Sequence, residues 1–265
     1  MLNVDLGYLT FKMAFGNYDL WQAKYGHNVA IAAIDKKPKR KEVYPQYKEQ
    51  RNKNSDPQLM YAVWDLRRHI SMEKLLPLCY IEGLEADDIV ACWQLFNPYD
   101  KIVGVDKDFF QLPNVENLYY HNLKPYNFLD TIGKLPQYVQ PLAAKNFALY
   151  QMLLGDVADN IPRLLSKGKE GKQQLEFIYT AIDHNHLKDS LLDLFGESIV
   201  INAKLVLCPY YEWFDNGSQD WFNMWCLGHY YNTAFWVGLY DKINLCKLQN
   251  TVKEDNAVYE IFSLI

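Results

Sequence analysis

Four short apolar runs punctuate the first half of the chain: Leu2–Val4, Val29–Ile34, Leu75–Ile81 and Ile102–Val105. Their length and β-branched content predict buried strands. Between them, Leu59–Ile70 and Ala86–Phe96 carry helical periodicity, with Ile89, Val90 and Trp93 on one face. Strands alternating with helices predict βαβ units, hence an α/β fold with a central, mostly parallel sheet and flanking helices. Pro136 and Pro141 flank a turn before a helix expected over Leu142–Leu154, with Gly155 at its C-terminal cap. Residues 156–195 read as short helices joined by polar turns. From Gly196 onward Trp, Tyr and Phe abound, and Trp213, Trp221, Trp225 and Trp236 are expected to pack rather than to stack on a ligand.

Composition narrows the class. Of 265 residues 49% are hydrophobic and 22% charged, which fits a globular chain and excludes a disordered one. The longest apolar stretch, around Ala30–Ile34, is far short of a membrane span, and Asp5 and Lys12 interrupt any leader-like run. Five cysteines at wide spacings, with no Cys-x-x-Cys pair, predict free thiols and a cytoplasmic protein. No spaced His pair typical of zinc occurs, and no Gly-x-Ser-x-Gly supports a serine nucleophile.

Charge is uneven. The chain as a whole is −5, yet residues 36–53 hold six Lys and two Arg against two Glu, a local +6. A basic run of this kind is either a solvated loop or a phosphate-tracking segment, with Tyr44 and Tyr47 available to stack on bases.

The acids decide between these readings. Asp5 ends the first apolar run and Asp35 follows the second; Glu82 and Glu85 follow the third, and Asp106 and Asp108 the fourth. In an open parallel sheet these positions share the carboxyl edge, where ligands bind. Asp87 and Asp88 open the next helix, and Asp156 and Asp159 lie three apart after Gly155. Capping explains single acids at helix starts but not three within four positions. Like charges so crowded must raise their pKa values or bind cations, and hard divalent ions with oxygen ligands are the natural solution. Two such ions can stabilise both oxygens of an in-line phosphoryl displacement.

In this order the segments resemble the 5′-nuclease family: bacteriophage 5′→3′ exonucleases and flap endonucleases, and the 5′-nuclease domain of bacterial DNA polymerase I. The similar segments are Val4–Lys12, Asp35 with Tyr44-Pro-Gln-Tyr-Lys48-Glu-Gln-Arg51, Glu82-Gly-Leu-Glu85-Ala-Asp-Asp88, Val105–Leu112, and Gly155-Asp156-Val-Ala-Asp159-Asn160-Ile161-Pro162. The resemblance implies a PIN-like core over residues 1–140 with an arch segment at 36–71. A mainly helical DNA-binding and C-terminal region would occupy 141–265. It implies two Mg²⁺ or Mn²⁺ ions held by Asp5, Asp35, Glu85, Asp87, Asp88, Asp106, Asp108, Asp156 and Asp159, with Glu82 structural. Lys48 and Arg51 would neutralise the scissile phosphate, and Lys12 would contact a phosphate near the 5′ end. DNA contacts would come from Lys36, Lys37, Lys39, Arg40, Lys41, Tyr44, Tyr47 and Lys53. Where the family carries a glycine-rich helix-hairpin-helix, this chain reads Arg163-Leu-Leu-Ser-Lys167-Gly168-Lys169-Glu-Gly171-Lys172, a divergent hairpin whose Arg163, Lys167, Lys169 and Lys172 could hold backbone phosphates.

The expected function is a monomeric, metal-dependent 5′→3′ exonuclease or flap endonuclease acting on DNA 5′ ends, flaps or nicks, with RNA–DNA hybrids as a second candidate substrate. Two alternatives stand beside it: a PIN-type ribonuclease, and an inactive structure-specific DNA-binding protein.

Overall fold

A computed structural model describes residues 1–51, 56–73, 75–112, 115–183, 186–208, 221–226 and 233–251. In chain order the elements are β1 (Leu2–Asp5), α1 (Leu6–Met13), α2 (Tyr18–Tyr25), β2 (Val29–Ala33), α3 (Arg40–Val43), α4 (Pro57–Met72), β3 (Leu78–Cys79), α5 (Ala86–Phe96), β4 (Lys101–Val103) and β5 (Leu118–Tyr119). There follow α6 (Phe128–Ile132), α7 (Gln140–Lys145), α8 (Phe147–Leu154), α9 (Gly168–Asp183), α10 (Leu187–Phe195), α11 (Glu197–Val206), α12 (Trp221–Cys226) and α13 (Thr233–Thr251). Among the described residues no helix is long and apolar enough to cross a membrane.

Two compact units emerge. The first comprises Met1–Lys39, Asn54–Asn127 and Val237–Ile265; the second comprises Arg40–Lys53 and Phe128–Trp236. The first unit is α/β. Its five strands are all parallel, in the order β3-β2-β1-β4-β5. The strand order reverses between β1 and β4, so a crevice opens at the carboxyl ends of that pair. Register fixes who stands there: Asp5 pairs with Ala33, and Val4 with Val103. Asp5, Asp35 and Asp106 thus follow neighbouring strands on one edge.

The central strands are buried along their length because helices cover both faces. Asp5 caps α1 by accepting from the Tyr8 amide at 3.0 Å, and Asp56 caps α4 at the Gln58 amide, with Pro57 at the first turn. Helix α5 departs from its amphipathic reading: every residue from Ala86 to Gln94 is buried. It packs against β1 and β2, and the Tyr240 ring of α13 stacks on Phe96 and tilts against Trp93 from the other side. Burying nine consecutive positions leaves the helix no solvated stripe, which fixes its N-terminus at the sheet edge.

The second unit is helical in its described residues. The single helix expected over Leu142–Leu154 is two, α7 and α8. Asn146 leaves helical geometry and caps α8, its side chain accepting from the Leu149 amide at 2.9 Å. Gly155 ends α8 as expected. Its φ of +64° and the close approach of the Ile161 and Pro162 carbonyls leave no room for a Cβ. The next helix, α9, spans 16 residues and is longer than the short segments expected there.

Candidate metal centre

The site in the first unit grows from the sheet edge. Asp5 ends β1, and Asp35 follows β2 and accepts the Ala86 amide at 2.7 Å, tying the strand end to the first turn of α5. Within that turn the Glu85 amide donates to Asp88 at 3.0 Å. Beyond β4, Asp106 accepts from the Asp108 amide at 2.9 Å, which turns the chain back toward the edge. Most of these acids therefore cap a backbone amide with one oxygen. A carboxylate has two oxygens, so capping and ligation are compatible.

Two groups of carboxylates have ligand atoms within 4.8 Å of one another: Glu85 with Asp87 and Asp88, and Asp87 with Asp106 and Asp108. Asp87 belongs to both. Glu85, Asp87, Asp88 and Asp108 are buried, and Asp106 is half-buried. Burial raises the free energy of a carboxylate's charge, and clustering adds like-charge repulsion, so a nearby cation lowers both costs. An all-oxygen donor set suits a hard divalent ion. The acids present therefore fit the metal that the resemblance implies.

Asp5 flanks this cluster. Its carboxyl is pushed up to about 6 from an ordinary 3.8, chiefly by burial, with the charges of Asp35 and Asp106 adding to the rise. The Tyr8 amide and the Arg67 guanidinium pull the other way. The field reported by Asp5 places Asp35, Asp106 and Arg67 around one point of the edge. Glu82 is exposed, and Lys12 sits in the last turn of α1 with its ammonium over the Phe11 ring at 5.8 Å.

The other predicted residues belong to the second unit, except Lys36, Lys37 and Lys39, which end the first stretch of the first unit. Asp156 turns the chain after Gly155: its amide and carbonyl bridge Ile161, and its side chain accepts from the Ala158 amide at 2.9 Å. The buried Asp159 carboxylate receives the Arg51 guanidinium, and the Tyr47 hydroxyl reaches it at 3.4 Å. Lys48, with a φ of +57°, donates its amide to the Asp159 carbonyl at 2.9 Å. Two DNA contacts expected from the basic run are corrected here. Arg40 is 2% exposed, and its guanidinium donates to the Leu205 and Leu207 carbonyls at the end of α11, at 3.0 and 2.7 Å. It closes a helix end rather than meeting a phosphate. Tyr47 is 1% exposed, so its ring offers no face to a base. Tyr44, Lys36 and Lys48 are half-buried; Lys37, Lys39, Lys41 and Arg51 are exposed. Lys53 lies outside the described residues, as do Trp213 and the side chains of Trp221 and Trp236. Trp225 packs on Phe222, in line with its expected role.

In the divergent hairpin, Lys167, Lys169 and Lys172 are exposed around the start of α9. Arg163 is spent locally, on the Leu165 carbonyl at 2.7 Å and the Tyr138 hydroxyl at 3.0 Å. Gly171 meets the Ser166 carbonyl so closely that a Cβ would collide with it.

Residues 11–133 match the family model described as 5′-3′ exonuclease, N-terminal resolvase-like domain. That stretch holds the Glu85–Asp88 and Asp106–Asp108 acids of the cluster. DNA polymerase I of Rhizobium leguminosarum is 30% identical to this chain over 163 residues, which is 59% of the chain and 15% of the polymerase. The chain thus spans a small part of that relative's length. Among solved structures, bacteriophage T5 5′-exonuclease with divalent zinc ions bound superposes with a TM-score of 0.56 at 18% identity, over 92% of this chain and 99% of that one. Bacteriophage T5 flap endonuclease, solved as a pseudo-enzyme–product complex with DNA and metal ions, gives 0.55 at 18% identity over 92% and 98%. At such identities the likeness establishes a shared fold.

Proposed function

We propose that the chain is a divalent-metal-dependent 5′→3′ exonuclease and flap endonuclease acting on DNA. The observation that carries this reading is the shared carboxylate cluster: Asp87 stands in two groups of converging acids at the carboxyl edge of a parallel sheet, inside the stretch that matches the exonuclease model. The solved relatives support it, since one was determined with divalent zinc and another with DNA and metal ions.

In this reading Glu85, Asp87, Asp88, Asp106 and Asp108 hold two ions, Mg²⁺ or Mn²⁺, with Asp5 and Asp35 completing the edge. When bound, such ions supply an activated water and neutralise charge on a phosphodiester undergoing displacement. The chain's own contribution is to hold the acids in place. The α5 capping contacts keep Glu85 and Asp88 from collapsing onto solvent, and Asp35 pins the strand end to the same helix. Lys12, Lys48 and Arg51 are assigned to substrate phosphates, and Lys36, Lys37, Lys39, Lys41, Lys167, Lys169 and Lys172 to the flanking backbone. Hydrolysis leaves a 5′-phosphate and a 3′-hydroxyl.

The test is a 5′-labelled flap and a nicked duplex, with an RNA–DNA hybrid and a single-stranded RNA beside them, incubated with Mg²⁺ or with EDTA. The expected result is release of short products from the 5′ end of DNA, abolished by EDTA. Cleavage of the single-stranded RNA alone would assign the site to a ribonuclease. Retention of flap DNA without Mg²⁺-dependent cleavage would make the chain a binding factor.

A further inference from the structure

We infer that Arg67 is a phosphate-binding residue of this site, gripping a phosphodiester of the DNA strand at the Asp5–Asp35 end of the carboxylate edge. The inference rests on the nuclease reading above and deepens it.

Arg67 lies on the inward face of α4. Val63 and Ile70, four residues before it and three after, are buried, so helical spacing sends the Arg67 side chain into the molecule between them. An arginine there is costly unless its donors are used. Its Nε donates to Thr10 Oγ1 at 3.0 Å, and Thr10 is itself held by donating to the Leu6 carbonyl at 2.7 Å. That contact fixes the plane of the guanidinium. Nη2 then points along α1 toward its first turn. A Cβ placed on Gly7 would stand 3.4 Å from Arg67 Nη2 and 3.1 Å from Asp5 Oδ1. Gly7 therefore leaves open the gap between guanidinium and carboxylate, which any other residue would fill.

The guanidinium does not close that gap. Among the described residues it makes no ion pair within 4.0 Å, although the charges of Asp35 and Asp5 both act on it. Merely structural charge compensation would draw the fork onto one of the carboxylates. Instead its outer nitrogens stay uncommitted beside acids that bound cations would neutralise. A planar fork with free parallel donors matches the two non-bridging oxygens of a phosphodiester. Lys12, Lys48 and Arg51 do not duplicate this placement: Lys12 stands over an exposed ring, and Lys48 and Arg51 belong to the second unit.

The experiment combines variants with single neutral methylphosphonates scanned along the 5′-flap substrate. Affinity is measured with Ca²⁺ replacing Mg²⁺, and single-turnover cleavage with Mg²⁺. R67A is expected to weaken binding about tenfold, with R67K recovering little because an ammonium cannot grip two oxygens. Wild type should lose affinity at one phosphate position where R67A loses none. If R67A fails to fold, R67Q provides the same comparison, and melting curves report its folding. T10V removes the tie that orients the fork and should give part of the R67A loss with the same positional signature. Wild type and R67A responding alike to the methylphosphonate at every position would overturn the inference and leave Arg67 a tie between α4 and α1. Failure of wild type to cleave the flap in Mg²⁺ would instead remove the nuclease reading itself.

Discussion

The two acidic segments of the chain read alike in sequence and behave oppositely in structure. Glu85-Ala-Asp-Asp88 with Asp106 and Asp108 sits at the edge of a parallel sheet in the first unit, and its carboxylates converge on one another. Gly155-Asp156-Val-Ala-Asp159 sits on a turn in the second unit, and its most buried acid is met by the chain's own Arg51 and by the Tyr47 hydroxyl. The first group concentrates charge of one sign; the second dissipates it. Sheet topology makes the difference. Strand ends in parallel register bring several acids to one edge with like charges facing one another, whereas at the turn Asp159 meets a cation, Arg51, brought from 108 positions earlier in the chain. Removing an acid should therefore relieve repulsion in the first group and break a pair in the second.

The largest expected effect is on chemistry. Replacing Asp87 or Asp106 with Asn should lower single-turnover cleavage of a 5′ flap by about 10³-fold, while the melting temperature in EDTA holds or rises. Near-wild-type turnover would remove that residue from the site. Next comes the turn that supports the second segment. Gly155→Ala places a side chain against the Ile161 and Pro162 carbonyls at positive φ, and should cost about 2–4 kcal/mol by denaturant unfolding. An unchanged midpoint would show that the turn can open cheaply. Asp159→Ala should cost about 1–2 kcal/mol, less than a fully buried pair because the Arg51 side chain is 47% exposed. A stabilising effect would place Asp159 with the first group.

The smallest effect is the most diagnostic of crowding. Because the folded pKa of Asp5, about 6, lies above its unfolded value of 3.8, the protonated form favours the fold. In EDTA, the contribution of Asp5 to stability should therefore be fully present below about pH 4 and be lost as pH rises through about 6. Asp5→Asn keeps a capping side chain but cannot ionise, so it should gain about 1–2 kcal/mol over wild type above pH 6, with the gap closing toward pH 4. Parallel melting-temperature profiles would show the site uncrowded at Asp5.

Much of this was legible in the sequence. β1, β2 and β4 declared themselves as apolar runs, and α5 matched its expected span, because burial in a parallel sheet demands continuous hydrophobicity. β5 went unread: Leu118–Tyr119 is too short to show a period. The break at Asn146 was hidden because apolar spacing continues across it, and only the cap reveals a second helix. The acids were visible as residue types at strand ends, but which of them share ligand distance depends on tertiary placement. Arg40 and Tyr47 misled because a basic, aromatic run looks solvated until the carbonyls of α11 and the Asp159 carboxylate come to meet it. Arg67 had a signal that went unused. A charged residue spaced four from Val63 and three from Ile70 falls on the buried face of its helix, where a cation calls for a partner.

The central claim is the proposal that the converging acids of the first unit, with Asp87 shared between both groups, hold divalent ions. Crystals grown or soaked with Mn²⁺, with anomalous difference maps recorded above and below the manganese edge, test it most directly. The account predicts peaks coordinated by Asp87 together with Glu85, Asp88, Asp106 or Asp108. A map featureless around Asp87 at millimolar Mn²⁺ would contradict it.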